Sequence, residues 1–354
     1  MVQQRFITKA IQLLKDLIET PSFSSEEEHT ADHIENWFKS SQIPFHRTVN
    51  NVWAVNKFYD ESKPTLLLNS HHDTVKPNNG YTKDPFKAIV EDGKLFGLGS
   101  NDAGGCLVSL MATFTCFYAV KNLKYNLVIV ASAEEENSGE NGLNSMLSVI
   151  PKIDVAIVGE PTLMNLAIAE KGLVVFDALV KGTPSHAAHP NTNNAIYNTI
   201  DVLKWFQGFQ FEKRSKTLGD VKMTVSQINA GKQHNAVPAE VKLVVDVRVN
   251  DHYTNQEIVS ILQEKSPCDV IEPRGVKLNS SSIPITHPLV KAGLELGRKT
   301  YGSPTLSDQA VLSCPSLKLG PGDSTRSHTA NEFIYVAEIE EGIEMYIQLL
   351  KKIV

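Results

Sequence analysis

The chain has 354 residues, of which 42% are hydrophobic and 21% are charged, a composition typical of a globular protein. This length exceeds one ordinary core and predicts two domains. The formal net charge of −6 argues against a nucleic-acid partner. No apolar run approaches a membrane span or a signal peptide, and the four cysteines are scattered without a CxxC motif. We therefore expect a cytoplasmic protein with free thiols and no membrane association.

The first part of the chain alternates apolar runs with helical patterns. Residues 1–19 carry apolar side chains at helical spacing, which predicts an amphipathic helix. Apolar runs of strand length occupy 65–70, 127–133 and 154–160, and the apolar segment 103–120 is typical of a buried helix. Because these runs are continuous and not alternating, we expect strands covered on both faces, as in an α/β sheet.

The middle of the chain has a different pattern, in the order βαββαβ of a ferredoxin-like unit. The predicted elements are strand 173–182, helix 193–209, strands 221–231 and 240–250, helix 254–265 and strand 268–273. Thr254 and Glu257 predict a capping box at the start of the second helix. Along 240–250, valine and leucine on one face alternate with Lys242, Asp246 and Arg248 on the other. We therefore expect a sheet with one packed face and one open face.

The α/β pattern returns after about residue 281, with a predicted helix at 287–302 and a short strand at 316–320. The simplest organisation is an α/β domain built from both ends of the chain, 1–167 and 281–354. An α+β domain, 168–280, is inserted into it.

Acids and imidazoles follow the apolar runs of the outer domain. They are His71, His72, Asp73, Asp102, Glu134, Glu135, Glu136, Glu160 and His328. In an open α/β sheet, ligands bind outside the carboxyl ends of the strands, so these groups can converge. Imidazole and carboxylate without cysteine are ligands for zinc or a similar divalent ion.

Each residue alone also has a simpler interpretation. His72 suits a capping or surface residue, Asp102 suits the N-cap of the following helix, and the three glutamates 134–136 suit a solvated loop. The joint occurrence of these residues after successive buried strands favours a metal site.

These segments resemble the motifs of the di-zinc deacylase and exopeptidase family of acetylornithine deacetylase, succinyl-diaminopimelate desuccinylase and aminoacylase. The outer-domain segments are HHDTV, GLGSNDAGG, SAEEEN, VGEPT and GPGDSTRSHTANEF; the inserted-domain segments are KGTPSHAAHP and GKQHNAVPAEVKLVVDVR. They occur in the family's order along nearly the whole chain. The resemblance implies a mostly parallel-stranded, zinc-exopeptidase-like catalytic domain with an inserted ferredoxin-like lid and dimerisation domain.

The resemblance also implies two divalent metal ions, zinc with cobalt as the alternative. One ion would be held by His71 and Glu160. The other would be held by Glu136 and His328, with Asp102 as the bridge between them.

Further roles are implied for residues around the metals. Glu135 would be the general base, and Asp73 would accept the N–H of His71 and fix its tautomer. His186 would stabilise the oxyanion from the other subunit, which implies a homodimer through the inserted domain. His189 would be a neighbour without a role.

Arg248 and Asn235 resemble the family's clamp for the substrate carboxylate. A surface salt bridge between Arg248 and Asp246 is an equally weighted alternative. Three histidines have no motif behind them and are expected at the surface: His234, His252 and His287.

The expected activity is hydrolysis of the amide bond of an N-acyl amino acid. In length, in the VGEPT motif and in the single small inserted domain the chain resembles acetylornithine deacetylase more than the larger aminoacylases. This resemblance implies N2-acetylornithine or N2-succinylornithine as substrate, giving ornithine in arginine biosynthesis. The alternatives are a metallo-exopeptidase acting as a dipeptidase or carboxypeptidase, a succinyl-diaminopimelate desuccinylase, and a non-catalytic binding protein. Some residues depart from the family motifs, such as Ser70, Lys76 and Leu98, and TLSDQA (305–310) matches the TSD motif only loosely. The sequence therefore does not specify the acyl group or the amine of the substrate.

Overall fold

The computed structural model describes residues 2–354. Its helices are α1 (Val2–Ile18), α2 (Glu28–Ser40), α3 (Gly105–Phe117), α4 (Leu143–Met146), α5 (Ala195–Gly208), α6 (Asn255–Lys265), α7 (Pro288–Glu295) and α8 (Val336–Ile353). Within that described range, none of the helices combines the length and apolar composition needed to cross a membrane.

The strands are numbered in chain order. They are β1 (His46–Thr48), β2 (Asn51–Val55), β3 (Thr65–His71), β4 (Ile89–Glu91), β5 (Lys94–Phe96), β6 (Asn126–Ser132), β7 (Val155–Val158), β8 (Leu166–Glu170), β9 (Gly172–Lys181), β10 (Ser185–His186), β11 (Lys222–Ala230), β12 (Ala236–Val237), β13 (Glu240–Val249), β14 (Val270–Pro273), β15 (Ser281–Ser282), β16 (Thr300–Ser303), β17 (Ser316–Lys318) and β18 (Phe333–Tyr335).

The chain divides into two compact units. The first comprises residues up to Ile168 with Ser282–Tyr301 and Ser307–Val354, and the second comprises Ala169–Ser281 with Gly302–Leu306. The predicted roles of the two parts, catalytic domain and lid, stay predictions at this point.

A mixed sheet forms the centre of the first unit, with the strand order β1-β2-β6-β3-β7-β17-β8-β15 and β16 also paired with β8. Its middle is parallel, because β3 pairs in parallel with β6 and β7, and β17 pairs in parallel with β7. Every residue of β3, β6 and β7 is buried, which confirms the expectation from their continuous apolar runs. α3 is buried along most of its length and packs against α1 and α8.

The second unit has the ferredoxin-like strand order, β11-β13-β9-β14, with antiparallel neighbours throughout. The alternation predicted along β13 is present: Val241, Leu243, Val245 and Val247 are buried in its core. The capping box of Thr254 and Glu257 is also present at the start of α6. The predicted α/β fold with an inserted α+β domain is therefore correct.

The helix predicted over 287–302 is wrong in its second half. α7 ends at Glu295, because Gly297 adopts a left-handed φ of 78° and the N–H of Arg298 returns to the carbonyl of Gly293 at 3.0 Å. This is a Schellman ending, which glycine favours. His287, expected at the surface, is half-buried and caps α7 by accepting the N–H of Leu289 at 3.2 Å.

A small sheet of order β18-β5-β4 joins the N-terminal and C-terminal segments of the chain within the first unit. Phe333 pairs with Phe96, and the N–H of Gly97 donates to the carbonyl of Glu332 at 3.0 Å. As a result, the loop that carries Asp102 runs beside the loop that precedes β18.

Candidate metal centre

Five segments bring acids and imidazoles together at the carboxyl ends of the parallel strands. His71 is the last residue of β3, and Glu160 follows β7 by two positions. Glu135 and Glu136 follow the end of β6. Asp102 and His328 come from the two loops beside the small sheet and complete the cluster.

The imidazole of His71 faces three carboxylates. Its Nε2 lies 3.4 Å from Oδ1 of Asp102, 3.8 Å from Oε1 of Glu160 and 3.9 Å from Oε2 of Glu135. The side chain is only 1% exposed, and within residues 2–354 this nitrogen has no hydrogen-bond partner. A buried nitrogen without a partner is costly, so the arrangement points to a ligand that completes it.

The second imidazole faces the other side of Asp102. Nε2 of His328 lies 3.6 Å from Oδ2 of Asp102 and 3.1 Å from Oε2 of Glu136. The two oxygens of Asp102 therefore point at two different histidines. Asp102 is not the N-cap of α3, since that position is Gly104 and no side chain caps the helix.

These donors fit divalent cations. Ligand atoms lie within 4.8 Å of one another in two overlapping groups, one of His71, Asp102 and Glu136 and one of His71, Glu135 and Glu160. Bonds of about 2 Å to a central ion place its ligand atoms at this kind of separation. Burial and the neighbouring Asp102 raise the pKa of Glu160 to about 8 without such an ion. A cation would relieve this crowding of negative charge.

Asp73 links His71 to the turn formed by the three glutamates 134–136, called here the glutamate turn. Its Oδ1 lies 3.3 Å from Nδ1 of His71 and accepts the N–H of Glu135 at 3.1 Å. Its Oδ2 accepts the N–H of Glu136 at 3.1 Å and the hydroxyl of Ser24 at 2.7 Å. Burial opposes ionisation, but the bonds from His71 and Ser24 keep the pKa of Asp73 below its usual value.

The three adjacent glutamates have different environments. Glu134 adopts a left-handed φ of 54°, which ends the extended geometry of β6. Its carboxylate is buried and accepts both the backbone N–H and the side-chain amide of Asn141, each at 3.0 Å. The interpretation of this segment as a solvated loop is wrong for Glu134, whereas Glu135 and Glu136 face the cluster.

Two buried carboxylates near the centre were not among the predicted site residues. Oε1 of Glu332 accepts the N–H groups of Asn101 and Asp102 at 2.8 and 3.0 Å. Oε1 of Glu27 accepts the N–H of Glu134 at 3.1 Å. Glu27 stands in a polar segment without a motif, and Glu332 stands in the segment GPGDSTRSHTANEF, whose resemblance gave a role to His328 alone.

His72 is buried and lies outside the cluster. Its Nδ1 is 2.9 Å from the hydroxyl of Thr30, and its Nε2 is 3.0 Å from the carbonyl of Asn50. Burial lowers the pKa of His72 to about 4, which favours the neutral ring. The surface interpretation of His72 is wrong, because the strand it extends is covered on both faces.

The loose TSD segment supplies another buried acid at the end of β6. Oδ2 of Asp308 accepts the hydroxyl of Ser132 at 2.6 Å. Burial raises the pKa of Asp308 to about 6. Asp308 therefore contacts the last residue of β6, two positions before Glu134.

The remaining predicted residues lie in the second unit. His186 and Ala236 are paired between β10 and β12, and the carbonyl of Asn235 accepts the N–H of Ala187 at 2.9 Å. His186, Asn235 and the neighbouring His189 are exposed. The structure therefore brings His186 and the Asn235 segment together.

Arg248 makes an ion pair with Asp246. Its Nε and Nη2 donate to the two carboxylate oxygens of Asp246 at 2.9 and 3.1 Å. Both side chains lie on the open face of β13, opposite the buried valines. His234 and His252 are exposed, as expected.

Comparison with known sequences gives independent evidence of the family to which the chain belongs. A sequence profile of peptidase family M20/M25/M40 matches residues 67–352. The acetylornithine deacetylase of Buchnera aphidicola subsp. Schizaphis graminum is 27% identical, covering 98% of this chain and 98% of that protein. The succinyl-diaminopimelate desuccinylase of Rickettsia felis is 24% identical, covering 97% of this chain and 99% of that protein.

Solved structures share the fold. An M20 family metallo-carboxypeptidase from Sulfolobus solfataricus superposes with a TM-score of 0.78 at 16% identity, covering 97% of this chain and 98% of the other. A dinuclear metal-binding peptidase of the M20 family from Bacillus subtilis superposes with a TM-score of 0.74 at 15% identity, covering 98% of both chains. At these identities the likeness concerns the fold alone.

Proposed function

Because the chain belongs to peptidase family M20/M25/M40, whose members are metallohydrolases, we propose that it hydrolyses the amide bond of an N-acyl amino acid. The substrate we propose is N2-acetylornithine or N2-succinylornithine, with ornithine as the product in arginine biosynthesis. The observation that carries the proposal is the unpartnered, buried Nε2 of His71 among three carboxylates. The full-length likeness to an acetylornithine deacetylase supports the choice of substrate. An enzyme of amino-acid biosynthesis acts where its substrate is made, so a cytoplasmic location belongs to the same proposal.

The centre would hold two divalent ions, zinc with cobalt as the alternative. His71 and Glu160 would bind one ion, Glu136 and His328 the other, and Asp102 would bridge them with the two oxygens that face the two histidines. When bound, such ions acidify a water molecule and polarise the carbonyl of the substrate amide.

Glu135 is the proposed general base. Its backbone is fixed by the bond to Asp73, and its carboxylate faces the same space as Nε2 of His71. Burial raises the pKa of Glu135 well above its ordinary value, which suits a group that must both accept and return a proton. Glu135 would take a proton from the attacking water and deliver it to the leaving amine.

Asp73 would act on orientation alone. Nδ1 of His71 lies 3.1 Å from the backbone carbonyl of Asp73 and 3.3 Å from its Oδ1, so both oxygens favour a proton on Nδ1 and leave Nε2 free to bind a cation. The same carboxylate fixes the backbone of Glu135 and Glu136. One side chain would thus align a ligand histidine, the base and a ligand glutamate.

The second unit would supply substrate contacts. We propose that His186 donates to the developing oxyanion from the other subunit of a homodimer. Arg248 and Asn235 would bind the substrate carboxylate. Arg248 would then either donate to Asp246 and the substrate together or give up its ion pair with Asp246. Testing Arg248→Ala for a raised KM with a small change in kcat separates this clamp from a structural ion pair.

An exposed apolar patch supports the homodimer. On α5, Ile196, Tyr197 and Ile200 are 45%, 69% and 51% exposed, and Ile228 on β11 is 55% exposed. Such a patch on a small α+β unit is typical of a protein–protein contact. The dimer would form through this face of the inserted unit.

A hydrolysis panel tests the substrate. Purified enzyme with zinc is offered acetylornithine, succinylornithine, acetylcitrulline, acetyl-lysine, succinyl-diaminopimelate and several dipeptides, and released amine is measured. We expect the highest kcat/KM with an acylated ornithine. Ready cleavage of dipeptides with neither acylornithine hydrolysed would overturn this choice in favour of a metallo-exopeptidase, and preference for succinyl-diaminopimelate would favour the desuccinylase.

A chelation experiment separates an enzyme from a binding protein on this fold. Removing metal should abolish hydrolysis, and adding zinc or cobalt should restore it. A protein that binds an acyl amino acid but never releases amine, with or without metal, would be a non-catalytic binding protein.

A further inference from the structure

Glu332 joins the two loops that supply Asp102 and His328. Its Oε1 accepts the backbone N–H groups of Asn101 and Asp102 at 2.8 and 3.0 Å, and its side chain is buried. It stands four residues after His328 on the same loop. A single carboxylate therefore connects the proposed bridging ligand to the loop of a proposed terminal ligand.

Other bonds join the same two loops on either side of Glu332. The side chain of Asn101 donates to the carbonyl of Asp323 at 3.1 Å and accepts the N–H of Asp323 at 3.1 Å. The N–H of Gly97 donates to the carbonyl of Glu332 at 3.0 Å. The two loops are thus bound at both ends, and Glu332 makes the contact nearest to Asp102.

The two histidines of the centre are supported differently. His71 ends β3, where it is paired with Ser132 of β6, and its side chain is 1% exposed. His328 lies outside any strand, its side chain is 54% exposed, and its φ of 58° is uncommon for a residue other than glycine. Its ring contacts Glu136 at 3.1 Å, and bonds of its loop, such as that from Asn78 to its carbonyl at 3.2 Å, hold its backbone in place.

We propose that Glu332 is a positioning residue that sets the distance between Asp102 and His328, and thereby the affinity of the centre for the ion those two residues share. This inference rests on the two-metal centre proposed above. The other ion keeps His71 and Glu160, which follow buried strands, so it depends less on Glu332. Loss of the contact between Glu332 and the Asp102 loop should weaken the binding of one ion and not of the other.

Two substitutions separate positioning from charge. Glu332→Asp keeps the carboxylate but shortens the side chain, so it cannot reach both N–H groups in the same place. Glu332→Gln keeps the length and one acceptor oxygen but removes the charge. Positioning requires a side chain long enough to accept both N–H groups, so Glu332→Asp should lower the zinc affinity more than Glu332→Gln.

Zinc titration into the metal-free proteins, followed by calorimetry, measures the two ions separately. For Glu332→Asp we expect one of the two dissociation constants to rise at least about tenfold, the lower end for residues that orient metal ligands. The other dissociation constant should change by less than about threefold, and both should stay within about threefold of the wild-type values in Glu332→Gln. Circular dichroism checks that each variant is folded.

Several results would overturn the inference: wild-type affinity for both ions in Glu332→Asp, an equal loss of both ions, or a larger loss in Glu332→Gln than in Glu332→Asp. A wild-type protein that binds a single zinc ion would also overturn it. These readings do not require hydrolysis. If the wild type binds two ions and cleaves none of the panel substrates, the proposed substrate fails while the role of Glu332 stands.

Discussion

Replacing Asp73 by asparagine tests how the protein orients its metal ligands. The fully buried carboxylate faces four donors: Nδ1 of His71, the hydroxyl of Ser24 and the N–H groups of Glu135 and Glu136. Each oxygen receives two of them. Asparagine keeps nearly the same shape but replaces one oxygen with an NH₂ group, which is itself a donor.

Either orientation of the amide leaves one backbone N–H, that of Glu135 or that of Glu136, facing another donor. A buried donor without an acceptor costs about 1–3 kcal/mol, so the free energy of unfolding of the metal-free protein should fall by about that amount. The affinity for zinc should fall about 10–100-fold, as when a group that orients a metal-bound histidine is removed.

Urea unfolding of the metal-free protein and zinc titration measure the two effects. Asp154→Asn is the matched control, because Asp154 accepts the N–H of Thr65 at 2.8 Å at the opposite end of β3. That change should leave zinc affinity unaltered. If Asp73→Asn binds zinc and resists urea like the wild type, the orienting role of Asp73 is wrong.

Three further predictions concern the base, the acidic cluster and the dimer. Glu135→Gln should keep zinc bound while kcat falls about 10²–10⁴-fold, and a fully active variant would refute its role as base. The pKa of Glu160 is raised to about 8 from an ordinary 4.5, so the metal-free folded protein keeps a proton that the unfolded chain has lost. Its melting temperature should therefore fall as the pH rises from about 5 to about 8, and a constant or rising value would contradict this. Tyr197→Glu places a charge in the exposed patch of α5 and should convert the dimer to a monomer in sedimentation experiments, whereas a wild type already monomeric would exclude the dimer.

The glutamate segment illustrates the limit of reasoning from sequence. Strand alternation places Glu135 on the opposite side from Glu134 and Glu136, but the left-handed turn at Glu134 breaks that alternation. Periodicity did not separate the three glutamates, and only the motif resemblance assigned Glu135 and Glu136 to the centre; in the folded chain Glu134 is buried against Asn141. The early end of α7, in contrast, had a signal in the sequence, since Gly297 stands within the predicted helix.

The sequence by itself determined the buried parallel strands β3, β6 and β7, the inserted α+β unit and the set of candidate ligands, but it did not predict β2 or β8 of the same sheet. Buried strands and half-buried strands follow local periods of hydrophobicity, and the ligands stand in short motifs directly after those strands. Only the tertiary structure showed that Glu332 and Glu27 also support the centre and that Ser24 donates to Asp73. Glu332 bonds to Asp102 across 230 positions of the chain and Asp73 to Ser24 across 49, and no local pattern encodes hydrogen bonds between residues so far apart.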